Sequence, residues 1–328
     1  MSDNASVTPG STSAHPHNAS QAPFNPATVD DVMKALGHHS YIADRGLATA
    51  IFLALKRHKP LLLEGEPGVG KTEVARTLAS LLNTKLIRLQ CYEGIDQSSA
   101  VYEWNYARQL LYIRLLEARN ADNAAESSAR LHDVFGPDFL IRRPLLEALE
   151  STNDHAPVLL IDELDRSDAE FEAYLLELLS DYQITIPEIG TQRAARPPIV
   201  VITSNRTRDI HDALRRRCLY YWIEYPSLQK EYAIVRTRVP EAPDLLARQV
   251  VAFVQLLRGE DLFKAPGVAE TLDWLGALVT LGQSELSEGA VEDALGALLK
   301  YQDDLQKITQ GGVLGRLVEQ ARQSAAKD

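Results

Sequence analysis

A glycine-rich segment early in the chain has the residue types and spacing that bind phosphate. Residues 65–72 read Gly-Glu-Pro-Gly-Val-Gly-Lys-Thr and fill each fixed position of the Gly-x4-Gly-Lys-Ser/Thr pattern. Backbone N–H groups of such a loop wrap the phosphates, the lysine pairs with the β- and γ-phosphates, and the threonine hydroxyl ligates Mg²⁺. The predicted nucleotide contacts here are Glu66, Pro67, Gly68, Val69, Gly70, Lys71, Thr72 and Glu73.

Three further polar side chains follow apolar runs later in the chain. Asp162 and Glu163 end the run that begins at residue 157, and Asn205 follows residues 199–204. Beside the phosphate-binding loop, Asp162 can hold Mg²⁺ together with Thr72, and Glu163 can polarise a water in line with the γ-phosphate. Asn205 either orients that water or forms a turn, as asparagine often does after a strand.

Positioning these side chains requires a sheet whose strands end at one edge. Five strand-like runs alternate with helical patterns over residues 60–64, 85–90, 157–162, 199–204 and 219–224. Three of them are almost wholly apolar, which is typical of central strands in a parallel sheet covered on both faces. The alternation predicts an α/β fold with a parallel five-stranded core sheet between layers of helices.

Composition divides the chain into three parts. Residues 1–24 contain little to bury and are predicted to be a disordered tail. Residues 25–226 hold the strand–helix alternation and form the predicted αβα nucleotide-binding domain. In residues 227–328 apolar positions recur at helical spacing, as in Val250, Phe253, Val254 and Leu257, which predicts a smaller all-α domain.

Charge and composition exclude several classes of function. The 328 residues carry a net charge of −11, which disfavours a general nucleic-acid or anionic-membrane binder. No apolar run is long enough to cross a membrane, and the N-terminus lacks the features of a signal peptide. The two cysteines, Cys91 and Cys218, are most simply free thiols, so we expect a cytoplasmic protein without membrane insertion.

Together these motifs resemble those of the AAA+ ATPases. Residues 65–72 correspond to Walker A, residues 159–163 to Walker B, and Asn205 to sensor 1. Within AAA+ the chain is most similar to the MoxR family, and particularly to its CoxD-like branch. The supporting segments are residues 62–72, 89–94, 102–104 and 199–226. The resemblance implies a P-loop αβα domain followed by a helical lid, with ATP and Mg²⁺ as ligands and ATP hydrolysis as the reaction.

The family also implies a homo-oligomeric ring, usually a hexamer, with nucleotide at each subunit interface. An arginine of one subunit then reaches the γ-phosphate held by its neighbour, where a planar guanidinium suits the charge of the transition state. The matching segment is residues 211–218. Arg217 aligns best with this arginine finger, Arg216 is the second candidate and Arg215 the third, and at least one of the three is expected only to satisfy helix-end carbonyls.

Family members contact adenine near their first helices, in the region of Tyr41 and Ile42. No guanine-reading Asn-Lys-x-Asp motif occurs, so ATP is favoured over GTP. Many MoxR proteins carry a sensor-2 arginine at the start of a lid helix, whereas residues 264–274 contain none. Lys264 and Arg258 are the available substitutes, and neither is strongly indicated.

The resemblance implies a remodelling chaperone that assists assembly, activation or cofactor insertion of a client metalloenzyme, such as a molybdenum-containing dehydrogenase. The implied partner carries a von Willebrand factor A domain. One alternative is a nucleic-acid-dependent AAA+ motor of restriction or translocase type, which the acidic charge disfavours. A second is a nucleotide-gated scaffold with little turnover. Tyr92 and Trp104 either contact a substrate protein or pack locally.

Overall fold

The computed structural model describes residues 24–119, 132–151 and 155–326. The predicted disordered tail, residues 1–24, lies outside the described residues except for its last member. Phe24 is half-buried and packs against the helices and strands of the first domain.

Five parallel strands form the central sheet, in the order β2-β5-β8-β1-β9. The strands are β1 (Leu61–Gly65), β2 (Leu86–Gln90), β5 (Val158–Asp162), β8 (Ile199–Ser204) and β9 (Leu219–Ile223). Two small antiparallel pairs lie outside it: β3 (Tyr102–Trp104) with β4 (Leu140–Arg142), and β6 (Gln183–Ile186) with β7 (Gly190–Arg193). The predicted five-stranded parallel core is therefore confirmed.

Helices cover both faces of this sheet. The first domain contains α1 (Val29–His38), α2 (Arg45–Arg57), α3 (Lys71–Leu81), α4 (Gln97–Ala100), α5 (Tyr106–Arg119), α6 (Pro144–Leu149), α7 (Ala169–Asp181) and α8 (Asp212–Arg215). The C-terminal region contains α9 (Leu228–Arg238), α10 (Asp244–Leu257), α11 (Val268–Thr280), α12 (Glu288–Leu298), α13 (Gln302–Thr309) and α14 (Val313–Ala325).

Alternation along each strand explains why the central strands are apolar throughout. Leu61 and Leu63 pack with α1, α2 and α3, whereas Leu62 between them packs with α6 and α7 on the opposite face. Successive side chains of a strand point to opposite faces, so a sheet with helices on both sides needs apolar residues at every position. All five residues of β1 and all five of β5 are buried.

The C-terminal helices enclose a separate apolar core. Its largest fully buried side chains are Trp274 and Phe253, whose rings lie 5.1 Å apart. Val250, Val254 and Leu257, predicted from helical spacing to face inward on α10, are fully buried. Among the described residues, no helix combines the length and the apolarity that crossing a membrane requires.

Candidate nucleotide-binding site

The phosphate-binding loop connects the end of β1 to the start of α3. Gly65 adopts a φ of +152°, and a Cβ there would lie 2.3 Å from the carbonyl oxygen of Ile223 on the neighbouring strand β9. No side chain fits at this position, which explains the glycine at the first fixed place in the motif. Lys71 is the first residue of α3, so the helix N-terminus faces the space above the loop.

Lys71 folds back over the loop that it is predicted to serve. Its Nζ donates hydrogen bonds to the carbonyl oxygens of Gly65 (2.7 Å) and Glu66 (2.8 Å). Burial lowers the pKa of Lys71 to about 8, while the nearby carboxylates, Asp165 foremost, oppose that shift. A bound phosphate would supply the negative charge that this partly desolvated ammonium lacks.

Asp162 reaches the phosphate-binding loop from the end of β5 and is only 2% exposed. Its Oδ1 accepts hydrogen bonds from the hydroxyls of Thr72 (3.0 Å) and Thr203 (2.6 Å). Its Oδ2 accepts from Nε (3.0 Å) and Nη2 (2.6 Å) of Arg88 on β2. Thr72 and Asp162, separated by 90 residues, are thus in direct contact.

Glu163 follows Asp162 with a left-handed backbone, φ +56°. For a residue other than glycine this conformation costs roughly 1–3 kcal/mol and is found most often at functional sites. Its amide donates to Thr203 Oγ1 (2.9 Å), which holds the turn in place. Its Oε2 accepts from Gln90 Nε2 (3.0 Å) and pairs with Arg166 Nε (3.0 Å). We call Asp162, Glu163 and these partners the carboxylate edge.

Asn205 lies just after β8 and lines the same cleft as Lys71, Thr72, Asp162 and Glu163. The cleft has a volume of about 370 Å³. The backbone N–H of Asn205 donates to the buried carboxylate of Asp165 (3.2 Å). This hydrogen bond of its backbone holds Asn205 at the cleft.

A second, more apolar pocket of about 280 Å³ adjoins the loop and shares Gly68, Gly70 and Glu73 with the polar cleft. Tyr41 and Ile42 line it, together with Val69, Ile223, Val268 and Leu272. An aromatic ring and aliphatic side chains are what a flat heterocycle packs against. The two predicted adenine contacts thus lie beside the phosphate-binding loop.

The three arginines of residues 211–218, which we call the arginine segment, have different surroundings. Arg215 donates through Nη2 to Oε1 of the fully buried Glu64 (2.7 Å). Arg217 donates to Ser180 Oγ (2.8 Å) and to the carbonyl oxygen of Ala213 (3.0 Å). Arg216 is exposed, and its side chain has no hydrogen-bond or ion-pair partner within the described part of the chain.

Glu64, which directly precedes the loop, ties the arginine segment to the sheet. Besides Arg215, its carboxylate accepts from the hydroxyl of Tyr220 (3.1 Å) and lies 3.8 Å from Nε of Arg206. A fully buried carboxylate needs such partners, since leaving it unpaired is costly. Arg215 is thereby committed to a contact within its own chain.

The C-terminal helical region meets the loop through glycines. The Ala269 amide at the start of α11 donates to the Gly68 carbonyl (3.2 Å), and a Cβ on Gly267 would lie 2.7 Å from Gly68 Cα. Arg258, considered as a sensor-2 substitute, instead forms a bidentate pair with the buried Glu231 (2.7 Å for each contact). The start of α11 therefore contacts the phosphate-binding loop through backbone, and Arg258 is held by Glu231.

Several of these partners escaped sequence reasoning. Gln90, Thr203 and Glu64 are polar residues at or next to the ends of strands that are largely apolar, a signal that could have marked them. Arg88 gave no signal, because its role depends on which strand lies beside β2. Trp104, which either contacts a substrate or packs locally, is 7% exposed and packs in the core, whereas Tyr92 is 48% exposed.

Comparison with known proteins gives a family model that matches the part of the chain containing the phosphate-binding loop. Residues 60–218 match the family model described as AAA domain, dynein-related subfamily. Over 231 residues the chain is 24% identical to an uncharacterized protein of Staphylococcus haemolyticus, covering 68% of this chain and 77% of that protein.

Two solved structures of RuvB from Thermotoga maritima are also similar. The RuvB Holliday junction branch migration motor is 17% identical with a TM-score of 0.43, covering 86% of this chain and 74% of that chain. A RuvB mutant is 17% identical with a TM-score of 0.45, covering 86% and 76%.

The matched segment includes four of the five strands of the central sheet, β1, β2, β5 and β8, and it ends at Cys218, directly before β9. It also contains the phosphate-binding loop, the carboxylate edge and the arginine segment. The sheet order, the loop geometry and the helical region after β9 agree with the predicted P-loop fold. Residues 60–218 of this chain thus match an AAA domain model and contain the phosphate-binding loop and the strand ends that such a domain requires.

Proposed function

We propose that this protein binds ATP with Mg²⁺ and hydrolyses it, and that it uses the cycle to remodel a client protein. The observation that carries the hydrolytic part is the 3.0 Å contact between Thr72 and Asp162. It brings the phosphate-binding loop and a buried carboxylate to one sheet edge, with a second carboxylate, Glu163, on the adjoining turn.

The donor set suits Mg²⁺. Thr72 and Asp162 offer a hydroxyl and a carboxylate, and Mg²⁺ prefers such oxygen ligands while keeping several waters and substrate phosphates. Among the described residues no group of three histidines, cysteines or carboxylates is arranged as a protein-only metal cage. When bound, the ion would neutralise charge on the β- and γ-phosphates.

Each residue then has a separate task. Lys71 exchanges its two carbonyl acceptors for phosphate oxygens, and the N–H groups from Gly68 to Thr72 wrap the phosphates. Glu163 accepts the proton of the attacking water, and Asn205 orients that water. Because Glu163 contacts Gln90 and Arg166, it must leave at least one of them to reach the water.

The site is completed by a neighbouring subunit of a ring, most simply a hexamer. Arg216 is the better candidate for the arginine that crosses the interface, although Arg217 aligns better with the family motif. The reason is availability: Arg215 and Arg217 have partners within the chain, and the Arg216 side chain has none among the described residues.

The wider role rests on the resemblance to MoxR proteins of the CoxD-like branch. It implies assembly, activation or cofactor insertion of a client metalloenzyme, such as a molybdenum-containing dehydrogenase, with a partner that carries a von Willebrand factor A domain.

A pair of variants tests the hydrolytic part. Glu163→Gln should retain ATP binding and lower turnover about 100-fold or more, because it removes the general base. Lys71→Ala should instead lose nucleotide affinity. ATP binding is measured by calorimetry and turnover by phosphate release, and near-normal turnover of Glu163→Gln would reject the assigned base.

Partner capture tests the remodelling part. The tagged Glu163→Gln protein, which binds ATP in its source cells, is purified from them. A protein with a von Willebrand factor A domain should co-purify with it and should not co-purify with Lys71→Ala. Strong stimulation of ATP turnover by DNA or RNA would favour a nucleic-acid-dependent motor instead and reject the chaperone role.

A further inference from the structure

Among the described residues, Arg88 is the one cation in contact with the carboxylate that is proposed to serve Mg²⁺. It lies on β2, two residues before the strand ends, and β2 pairs in parallel with β5 so that Gln90 is opposite Asp162. Nε and Nη2 of Arg88 both reach Asp162 Oδ2, at 3.0 and 2.6 Å. Nothing in the hydrolytic scheme above uses this arginine.

The hydrogen-bonding capacity of Asp162 is already filled by the protein. An ionised carboxylate offers about four lone-pair sites, two on each oxygen. Oδ1 uses its two for Thr72 and Thr203, and Oδ2 uses its two for Arg88. A water bound to Mg²⁺ can therefore donate to Asp162 only if one of these donors leaves.

Among the three donors, Arg88 is the one free to leave. Thr203 is 1% exposed and also accepts the Glu163 amide, so it is fixed from two sides. Thr72 can ligate a metal through its oxygen while its hydrogen still points to Asp162. The Arg88 side chain is 47% exposed and lines the open cleft, where it has room to swing towards a phosphate.

We propose that Arg88 is a positioning residue that holds Asp162 while the metal is absent and competes with Mg²⁺ for Oδ2 of that carboxylate. On arrival of the Mg²⁺–nucleotide complex, Arg88 gives up Asp162 and turns into the cleft. Arg88 also donates to Gln90 Oε1, and Gln90 in turn holds Glu163. Movement of Arg88 therefore frees one end of the side chain that restrains the general base.

The inference rests on the proposed function, since it requires ATP and Mg²⁺ at this site. It predicts opposite changes in two affinities, the affinity for ATP without metal and the affinity for Mg²⁺ with ATP bound. Without metal, Arg88→Gln should bind ATP more weakly than the unsubstituted chain, because one cation near the phosphates is lost. With ATP bound, it should need about tenfold less Mg²⁺ for half-saturation, because a charge-assisted competitor for Asp162 is gone.

The experiment titrates ATP into the full chain in the presence of EDTA, and then titrates MgCl₂ into the ATP complex, both by calorimetry. Arg76→Gln is the matched control, because Arg76 lines the same cleft, is more exposed, and pairs with Glu73 and not with Asp162. It should leave the Mg²⁺ requirement unchanged. Arg88→Lys keeps the charge and loses the planar set of donors. Its Mg²⁺ requirement should lie between that of Arg88→Gln and that of the unsubstituted chain.

Two results would overturn the inference and leave the proposed function intact. In the first, Arg88→Gln needs as much Mg²⁺ as the unsubstituted chain. In the second, it needs more. The second result would mean that Arg88 helps Asp162 to serve Mg²⁺ and does not compete with the ion. If the unsubstituted chain bound no ATP with or without Mg²⁺, the proposed function would fail and the inference with it. Thermal unfolding of each variant confirms that it is folded before it is titrated.

Discussion

The carboxylate edge and the arginine segment both contain charged side chains proposed for the site, but these side chains differ in the partners that they have. Along the carboxylate edge every charged group has partners in its own chain, and Asp162 alone accepts four hydrogen bonds. In the arginine segment two arginines are tied to the chain, and Arg216 is exposed with no side-chain partner among the described residues. The carboxylate edge is preorganised within the chain, whereas the arginine segment presents Arg216 to the surface.

Arg216→Ala gives the largest expected effect on ATP turnover. Unchanged turnover of this variant would show that the difference between the two regions has no functional consequence. An arginine finger contributes about 10³–10⁵ to turnover, so the variant should lose about 10³-fold in turnover while still binding ATP. Arg217→Ala is the matched control and should lose far less, because its partners are Ser180 and Ala213. The measurement is phosphate release at saturating ATP.

Mixing subunits separates an effect across the interface from one within the subunit. Arg216→Ala carries an intact phosphate-binding loop, and Lys71→Ala carries an intact arginine segment. A mixture of the two should recover turnover that neither variant has alone. Recovery with Arg217→Ala as the inactive arginine variant, and not with Arg216→Ala, would reverse the assignment.

Glu64→Gln tests the link between the two regions and should have an intermediate effect on stability. It keeps the size of the side chain and removes the charge that pairs with Arg215. Because Arg215 is 28% exposed, we expect a loss of about 2 kcal/mol in the free energy of unfolding, below the range for fully buried pairs. Urea denaturation measures it, and the exposed Glu224→Gln on the adjoining segment is the control. Equal stability of the two variants would show that the link is dispensable.

Gly267→Ala probes the contact of the helical region with the phosphate-binding loop and should have the smallest effect. The new Cβ would lie 2.7 Å from Gly68 Cα and 2.7 Å from the Pro67 carbonyl, which forces α11 away from the loop. We expect ATP affinity to fall by about three- to tenfold, the order of one lost packing contact. Gly276→Ala on the same helix meets no atom within 4 Å and should leave affinity unchanged. An unchanged affinity for both would mean that this contact does not shape the pocket.

Much of the fold followed from local patterns. The five strands lie within a residue or so of the predicted runs, because a strand buried on both faces must be apolar throughout and few other segments are. A threonine followed three residues later by an acid is typical of a helix start, and Thr28 and Asp31 form a capping box at the start of α1. The alternating side chains of residues 182–190 are typical of a hairpin, and they begin the β6–β7 pair, whose second strand extends to Arg193.

The partners of the site residues did not follow in the same way. Arg88 contacts Asp162 because β2 lies beside β5, and Thr203 does so because β8 lies on the other side of β5. Paired residues of β5 and β8 are 41 positions apart in the chain, and those of β2 and β5 are 72 positions apart. No local periodicity encodes this strand order, and the residues at the strand ends look alike until their neighbours are known.

The sequence by itself determined the phosphate-binding loop, the strands that carry Asp162, Glu163 and Asn205, and the helical character of the C-terminal region, since these depend on backbone sterics and apolar periodicity. Only the tertiary structure decided which side chains restrain the two carboxylates, which of three adjacent arginines has no side-chain partner among the described residues, and that the start of α11 contacts the phosphate-binding loop through backbone. Those outcomes depend on strand order and on burial, which are properties of the packed chain.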